Sequence, residues 1–176
     1  MNRLIRGLLI LPLVAGLSVL ADQVSKYLVR SNLVPGRSVA LSPRLERVFH
    51  VTYVTNSGAA FGLFPGWSQA FIVIALIVIM ALVWYYLQVS QGEWLVQLAL
   101  GLQLGGAIGN LIDRLRFGGF VIDFIDLDFW PLRRWPVFNI ADASIVSGVT
   151  LLTLLMILEG WHEERRGSQL ATASDE

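Results

Sequence analysis

Four stretches of about 20 apolar residues restrict the fold of this chain more than any other feature, because each can cross a hydrocarbon layer of roughly 30 Å as a helix. They fall at about residues 8–29, 67–87, 94–114 and 139–158. The second carries no charge. The first is apolar to Ala21 and then continues through a polar patch, Asp22, Gln23, Ser25 and Lys26, to Val29. In lipid every backbone N–H and C=O needs a partner within the protein, which four helices supply along their own length. Composition agrees: 55% of the residues are hydrophobic and 15% charged, whereas soluble domains carry about a quarter charged residues.

The expected fold is therefore membrane all-α, a single integral membrane domain over residues 1–163 followed by a disordered polar tail, 164–176. The first segment has a second reading. Arg3 and Arg6, a short apolar run and Val19-Leu20-Ala21 also fit a cleaved secretory signal, and segment length favours the membrane helix. Tryptophan marks the same boundaries. Trp67, Trp84, Trp94 and Trp161 sit at or near helix ends, and Trp130 and Trp135 lie before the fourth span, where indole rings favour the headgroup level.

The connections are unequal. A short link around residues 90–93 joins the second and third spans. The loop over residues 30–66 has Pro35-Gly36 and Pro65-Gly66 as turn signals. Within it, residues 48–55 (VFHVTYVT) read as a strand. The loop over 115–137 carries Gly118-Gly119 and then an amphipathic, aromatic stretch expected to lie at the membrane interface.

Four spans put both termini on one side, with Arg3, Arg6, Arg165 and Arg166. The other side, where the two long loops lie, carries Lys26, Arg30, Arg37, Arg44, Arg47, Arg114, Arg116, Arg133 and Arg134. Counted alone, these charges would place the loops in the cytoplasm.

Net charge is zero, so nothing suggests nucleic acid. Cysteine is absent and only His50 and His162 are present, which excludes a thiol nucleophile and argues against zinc. No metal or cofactor is expected.

Charged groups within spans cost a few kcal/mol or more and are functional candidates by default. Here they gather at one end of the first, third and fourth spans, the end that meets the long loops. Asp22 and Lys26, four apart, can pair on one helix face. Asn110, Asp113 and Arg114 end the third helix, Asn139 and Asp142 begin the fourth, Asp123 lies between them, and Asn56 closes the strand. Gly101, Gly105 and Gly109 form a small-residue stripe that Asp113 extends, and Gly106, Asn110 and Arg114 form the adjacent one. Such stripes let helices approach closely. Asp22–Lys26 reads as a structural ion pair. Asn110 and Arg114 fit either site support or helix capping, and Asp113 is expected to support the site or to pair with an arginine.

Two close carboxylates share a proton over a wide pH range. The ionised member can activate water while the protonated one donates to the developing oxyanion. A Ser-Lys site is disfavoured, because Ser25 points away from Lys26 and Asp22 would keep that lysine charged. Physics alone ends at a membrane protein with an interfacial acidic site, which equally fits a proton-coupled transporter or a structural membrane subunit.

Five motifs go further. Asp22-Gln23-Val24-Ser25-Lys26, Asn56-Ser57-Gly58-Ala59-Ala60-Phe61-Gly62, the run from Gly105 to Arg114 (GGAIGNLIDR), Val121-Ile122-Asp123-Phe124-Ile125, and Phe138-Asn139-Ile140-Ala141-Asp142-Ala143 resemble, in order, bacterial lipoprotein signal peptidase (signal peptidase II). The resemblance implies an aspartic endopeptidase of the bacterial cytoplasmic membrane acting on lipid-modified prolipoproteins; membrane lipids are the other expected partners, and a monomer is the expected state. It would cut before the diacylglyceryl-modified cysteine. The implied catalytic pair is Asp123 and Asp142. Asn56, Gly58, Asn110, Asp113, Arg114 and Asn139 fall on positions that bind substrate or support the site. Both termini would be cytoplasmic and the active site at the outer face, an orientation preferred over the charge count. Residues 48–55 and 117–135 are expected to clamp the peptide. Asp126 and Asp128 depart from the family pattern and would perturb the dyad unless they face water.

Overall fold

The computed structural model describes residues 2–40, 42–44, 46–58, 64, 66–88, 93–132 and 135–174. Four long helices carry it: α1 (Asn2–Asn32), α2 (Ser68–Gln88), α3 (Trp94–Arg116) and α4 (Ile140–Ser174). Their membrane-crossing portions, Leu9–Asn32, Ser68–Gln88, Trp94–Arg116 and Ile140–Trp161, lie within three residues of the expected spans. The chain is thus a four-helix membrane protein. Part of the second motif (residues 59–62), Pro65, Arg133, Arg134 and most of the short link at 90–93 lie outside the described residues.

Helix α3 is central. Its glycines decide how closely its neighbours approach, and the two stripes read from the sequence face different partners. A Cβ on Gly101 would meet Val14 Cβ at 2.9 Å, and one on Gly105 would meet Ser18 Cβ at 2.6 Å, both on α1. One on Gly106 would run into the carbonyl oxygen of Ala141 on α4. Above the glycines the same two faces carry Asp113 toward α1 and Asn110 toward α4, so helix packing itself brings the polar groups together.

Leu11, Ala15, Val96, Leu100 and Leu104 form the apolar core between α1 and α3. Helix α2 has no buried residue. Only one face, with Ile79, Leu82 and Tyr86, leans on the core, and an apolar helix exposed over the rest of its surface needs lipid around it. All six tryptophans are exposed as well, as side chains at a membrane–water boundary should be.

Beyond the spans, β1 (Ser38–Ala40), β2 (Phe49–Asn56) and β3 (Val121–Leu127) form one antiparallel sheet in the order β1-β2-β3. The strand expected at 48–55 is β2. The stretch expected as an interfacial amphipathic segment is in part a strand, β3, because β2 offers it a pairing edge. Val54 pairs with Asp123 and Asn56 with Val121, and the register shifts between Val51 and Val54. Bulges of this kind re-aim side chains beside functional sites. Val29, Tyr53, Ile122 and Phe124 pack the sheet onto the bundle.

Helix α4 continues to Ser174, through residues expected to be a disordered tail. After Gly160 the sequence contains no proline and is rich in Glu, Arg, Gln, Leu and Ala, which all favour helix.

Candidate active site

Asp142 owes its position to the way α4 begins. The helix starts at Ile140, so Asn139 is its N-cap and Asp142 its third residue. The Asp142 N–H donates to Asn139 Oδ1 at 2.8 Å, and the Asn139 N–H donates to Asp142 Oδ2 at 3.3 Å. This reciprocal pair is a capping box, and it holds a carboxylate at the positive end of the helix. The next free N–H of that turn, on Ala141, donates to Asp22 Oδ1 of α1 at 2.9 Å. One helix start thereby fixes two acidic groups.

Asp123 arrives from β3. The Phe124 and Ile125 N–H groups both donate to the Phe138 carbonyl, at 2.9 and 2.7 Å, which ties the strand to the residue before the N-cap. Asn139 is then within reach. Its Nδ2 donates to Asp123 Oδ1 at 2.7 Å. A single asparagine therefore touches both aspartates, accepting from the Asp142 backbone and donating to the Asp123 carboxyl. On its other oxygen Asp123 accepts from Asn56 Nδ2 at 3.1 Å. Asn56 is oriented in turn by the Gly58 N–H, which donates to its Oδ1 at 2.9 Å.

Asn110 completes the link. It donates from Nδ2 to Asp142 Oδ1 at 2.7 Å and accepts at Oδ1 from Asn139 Nδ2 and Lys26 Nζ, both at 3.1 Å. Lys26 is 2% exposed and lies 2.8 Å from Asp22 Oδ2 and 2.9 Å from Asp113 Oδ2. The Asp22–Lys26 pair is present as expected. Among the described residues Asp113 pairs with this lysine and not with an arginine, and it also accepts from the Ile122 N–H at 3.0 Å.

Burial, and next the neighbouring Asp142 charge, push the Asp123 carboxyl up to about 7 from its usual 3.8, against the Asn56 and Asn139 amides, which favour its charged form. Both aspartates open onto a cavity of about 650 Å³. Asn56, Gly58, Asn110 and Arg114 line its polar side. Trp135, Val137, Ile145 and Val146 are among its apolar walls. Arg114 donates to the Gly58 carbonyl at 3.4 Å and lies over the Phe71 ring, and its buried Nε has no partner among the described residues.

A family model described as signal peptidase II matches residues 14–158. The chain belongs to the signal peptidase II family. The lipoprotein signal peptidase of Syntrophomonas wolfei is 50% identical over 149 residues, 85% of this chain and 93% of that relative. That of Halothermothrix orenii is 46% identical over 149 residues, with the same coverage. That of Bacillus subtilis is 39% identical over 153 residues, 87% of this chain and 96% of the relative. A solved bacterial membrane enzyme superposes with a TM-score of 0.77 at 34% identity, covering 84% of this chain and 87% of that one. As a signal peptidase II, the protein is a membrane-spanning protease.

Of the residues singled out from sequence, Asn56, Gly58, Asn110, Arg114, Asp123 and Asp142 line the cavity, and Asn139 lies buried behind the two aspartates. Asp22 and Lys26 of α1 and Asp113 of α3 form a second layer behind them. Asp126 takes no part: it accepts from Thr52 Oγ1 at 2.6 Å. Residues three apart on a strand point to opposite faces, so Asp123 and Asp126 diverge. Gln23 was not foreseen. Its Nε2 donates to Asp22 Oδ2, Asp113 Oδ1 and the Gly109 carbonyl. The sequence places it in the polar patch of the first span and in the first motif, and neither shows a residue's partners across helices.

Proposed function

We propose that this signal peptidase II removes the signal peptide from prolipoproteins that carry a diacylglyceryl group, cutting before the modified cysteine, with Asp123 and Asp142 as an aspartic dyad. The observation that carries this reading is Asn139, which donates from its side-chain Nδ2 to the Asp123 carboxyl and from its backbone N–H to the Asp142 carboxyl, and so holds both at the edge of one apolar-walled cavity. The identity to lipoprotein signal peptidases over 149 residues, 85% of this chain, supports the substrate class.

The dyad enters the reaction with one proton. Its ionised member takes a proton from water as the water oxygen bonds to the scissile carbonyl carbon. Its protonated member gives its proton to the carbonyl oxygen. When the tetrahedral intermediate collapses, the C–N bond breaks, the first carboxyl protonates the departing nitrogen, and the second recovers a proton from the hydroxyl. Atoms and charges balance, and the resting dyad is restored. Asn56, Asn110 and Asn139 orient the carboxyls, while Arg114 and Gly58 bind the peptide backbone. The acyl chains lie against the apolar wall near Ile145 and Val146, and β2 with residues 117–135 clamps the peptide in an extended form.

In this reading the enzyme is a monomer in the bacterial cytoplasmic membrane, with both termini in the cytoplasm and the site at the outer face. Purified protein in nanodiscs, given a prolipoprotein with and without its diacylglyceryl group, should cut only the lipidated form. Equal cleavage of both removes the lipid requirement, and flux across vesicles without proteolysis points to a transporter.

A further inference from the structure

Lys26 looks at first like part of the scaffold: buried, paired with two carboxylates, and absent from the cavity wall. Its third contact suggests otherwise. An asparagine amide has an acceptor end and a donor end of nearly the same shape, and only its partners decide which way it faces. At Asn110 that choice is settled from α1 and from the α4 cap. Lys26 Nζ and Asn139 Nδ2 both donate to Oδ1. An ammonium group has no acceptor, so a flipped Asn110 would set its NH2 against two donors. Nδ2 is thereby committed to Asp142 Oδ1, at 2.7 Å.

For Asp142 this means two fixed donors, Asn110 Nδ2 on one oxygen and the Asn139 N–H on the other, at the positive end of α4. Asp123 also accepts from two amides, but it stands on a strand, where no helix end favours its charge. We propose that Lys26 is a positioning residue for the dyad: through Asn110 it keeps Asp142 the ionised member, so that Asp142 activates the water and Asp123 holds the proton. The inference rests on the proposed dyad and adds a role to each of its members.

The charged groups around the pair set the expected response. Asp142 is faced by Lys26 and Asp22 from α1, Arg114 from α3 and Asp123 from β3. Lys26 is faced by Asp22 on its own helix and Asp113 on α3. Removing the cation should make Asp142 harder to ionise, whereas removing Asp22 should make it easier.

The test is the pH profile of kcat/KM for full-length protein in nanodiscs, using a diacylglyceryl-modified prolipoprotein. Lys26→Met should move the acid limb up by about one pH unit, an activity loss of about tenfold on that limb with little change above it. Asp22→Asn, whose amide oxygen can still accept from Ala141, should move the limb the other way. If Lys26→Met does not fold, the Asp22→Asn profile decides alone. Variants that lose activity by the same factor at every pH, with the limb unmoved, overturn the positioning role while leaving the dyad intact. A parent enzyme that cuts nothing overturns both.

Discussion

Gly106 sits where α3 and α4 touch, one turn below Asn110, and Gly106→Ala should damage the site without altering any polar group. A Cβ there would meet the Ala141 carbonyl oxygen and lie 2.6 Å from Ile145 Cγ1, and the nearest obstacle is backbone, which cannot rotate away. Restoring van der Waals contact requires the helices to part by roughly 1 Å. Crowding of this kind costs about 1–3 kcal/mol, and the upper end applies against a carbonyl. Alanine returns up to about 1 kcal/mol through its helix propensity. The net loss of about 2 kcal/mol should lower the thermal midpoint in detergent by about 4–8 °C. The same parting would stretch the 2.7 Å bond from Asn110 to Asp142 past hydrogen-bonding range. A misplacement of about 1 Å in catalytic geometry costs on the order of a hundredfold in rate. Gly16→Ala is the control, since a Cβ at that helical position meets nothing within 4 Å. It should keep parental activity and melt at or above the parental temperature. If Gly106→Ala behaves like Gly16→Ala in both assays, the close contact is not what places Asp142.

Two further outcomes follow from the buried charges. Lys26→Met strips the cation from two carboxylates that are essentially unexposed, so it should cost about 3–5 kcal/mol. The triple variant Asp22→Asn/Lys26→Met/Asp113→Asn should recover more than half of that loss in thermal melts; no recovery would assign the loss to packing. Asp123→Asn tests the burial of a charge. With its folded value near 7 and an ordinary value of 3.8, Asp123 binds more protons folded than unfolded between those limits, so parental stability falls as pH rises through that window. The variant lacks this dependence. It should match the parent near pH 4 and exceed it by on the order of 4 kcal/mol at pH 8, and a gap that stays constant with pH would refute the assignment.

The spans were legible because apolar length is a property of the chain alone, and the glycine stripes because a period of four residues maps directly onto a helix face. The β3 strand was not. In VIDFIDL the aspartates are three apart, a spacing that on a helix reads as one polar side. Pairing with β2 makes the segment a strand and turns the same two residues to opposite faces. Asp22–Lys26 was readable as an i, i+4 pair, but the other partners of Lys26, Asp113 and Asn110, come from a helix more than eighty residues away. The capping box was visible only as Asn139 and Asp142 three apart; that the same asparagine also holds Asp123 depends on the Phe138 link between β3 and α4.

Cleavage of a diacylglyceryl-modified prolipoprotein by the parent, Asp123→Asn and Asp142→Asn proteins, each first shown to be folded, tests the central claim most directly. The dyad predicts a cleaved product from the parent and none above background from either variant, because each substitution removes one of the two proton-transfer groups. Normal cleavage by either variant would contradict it.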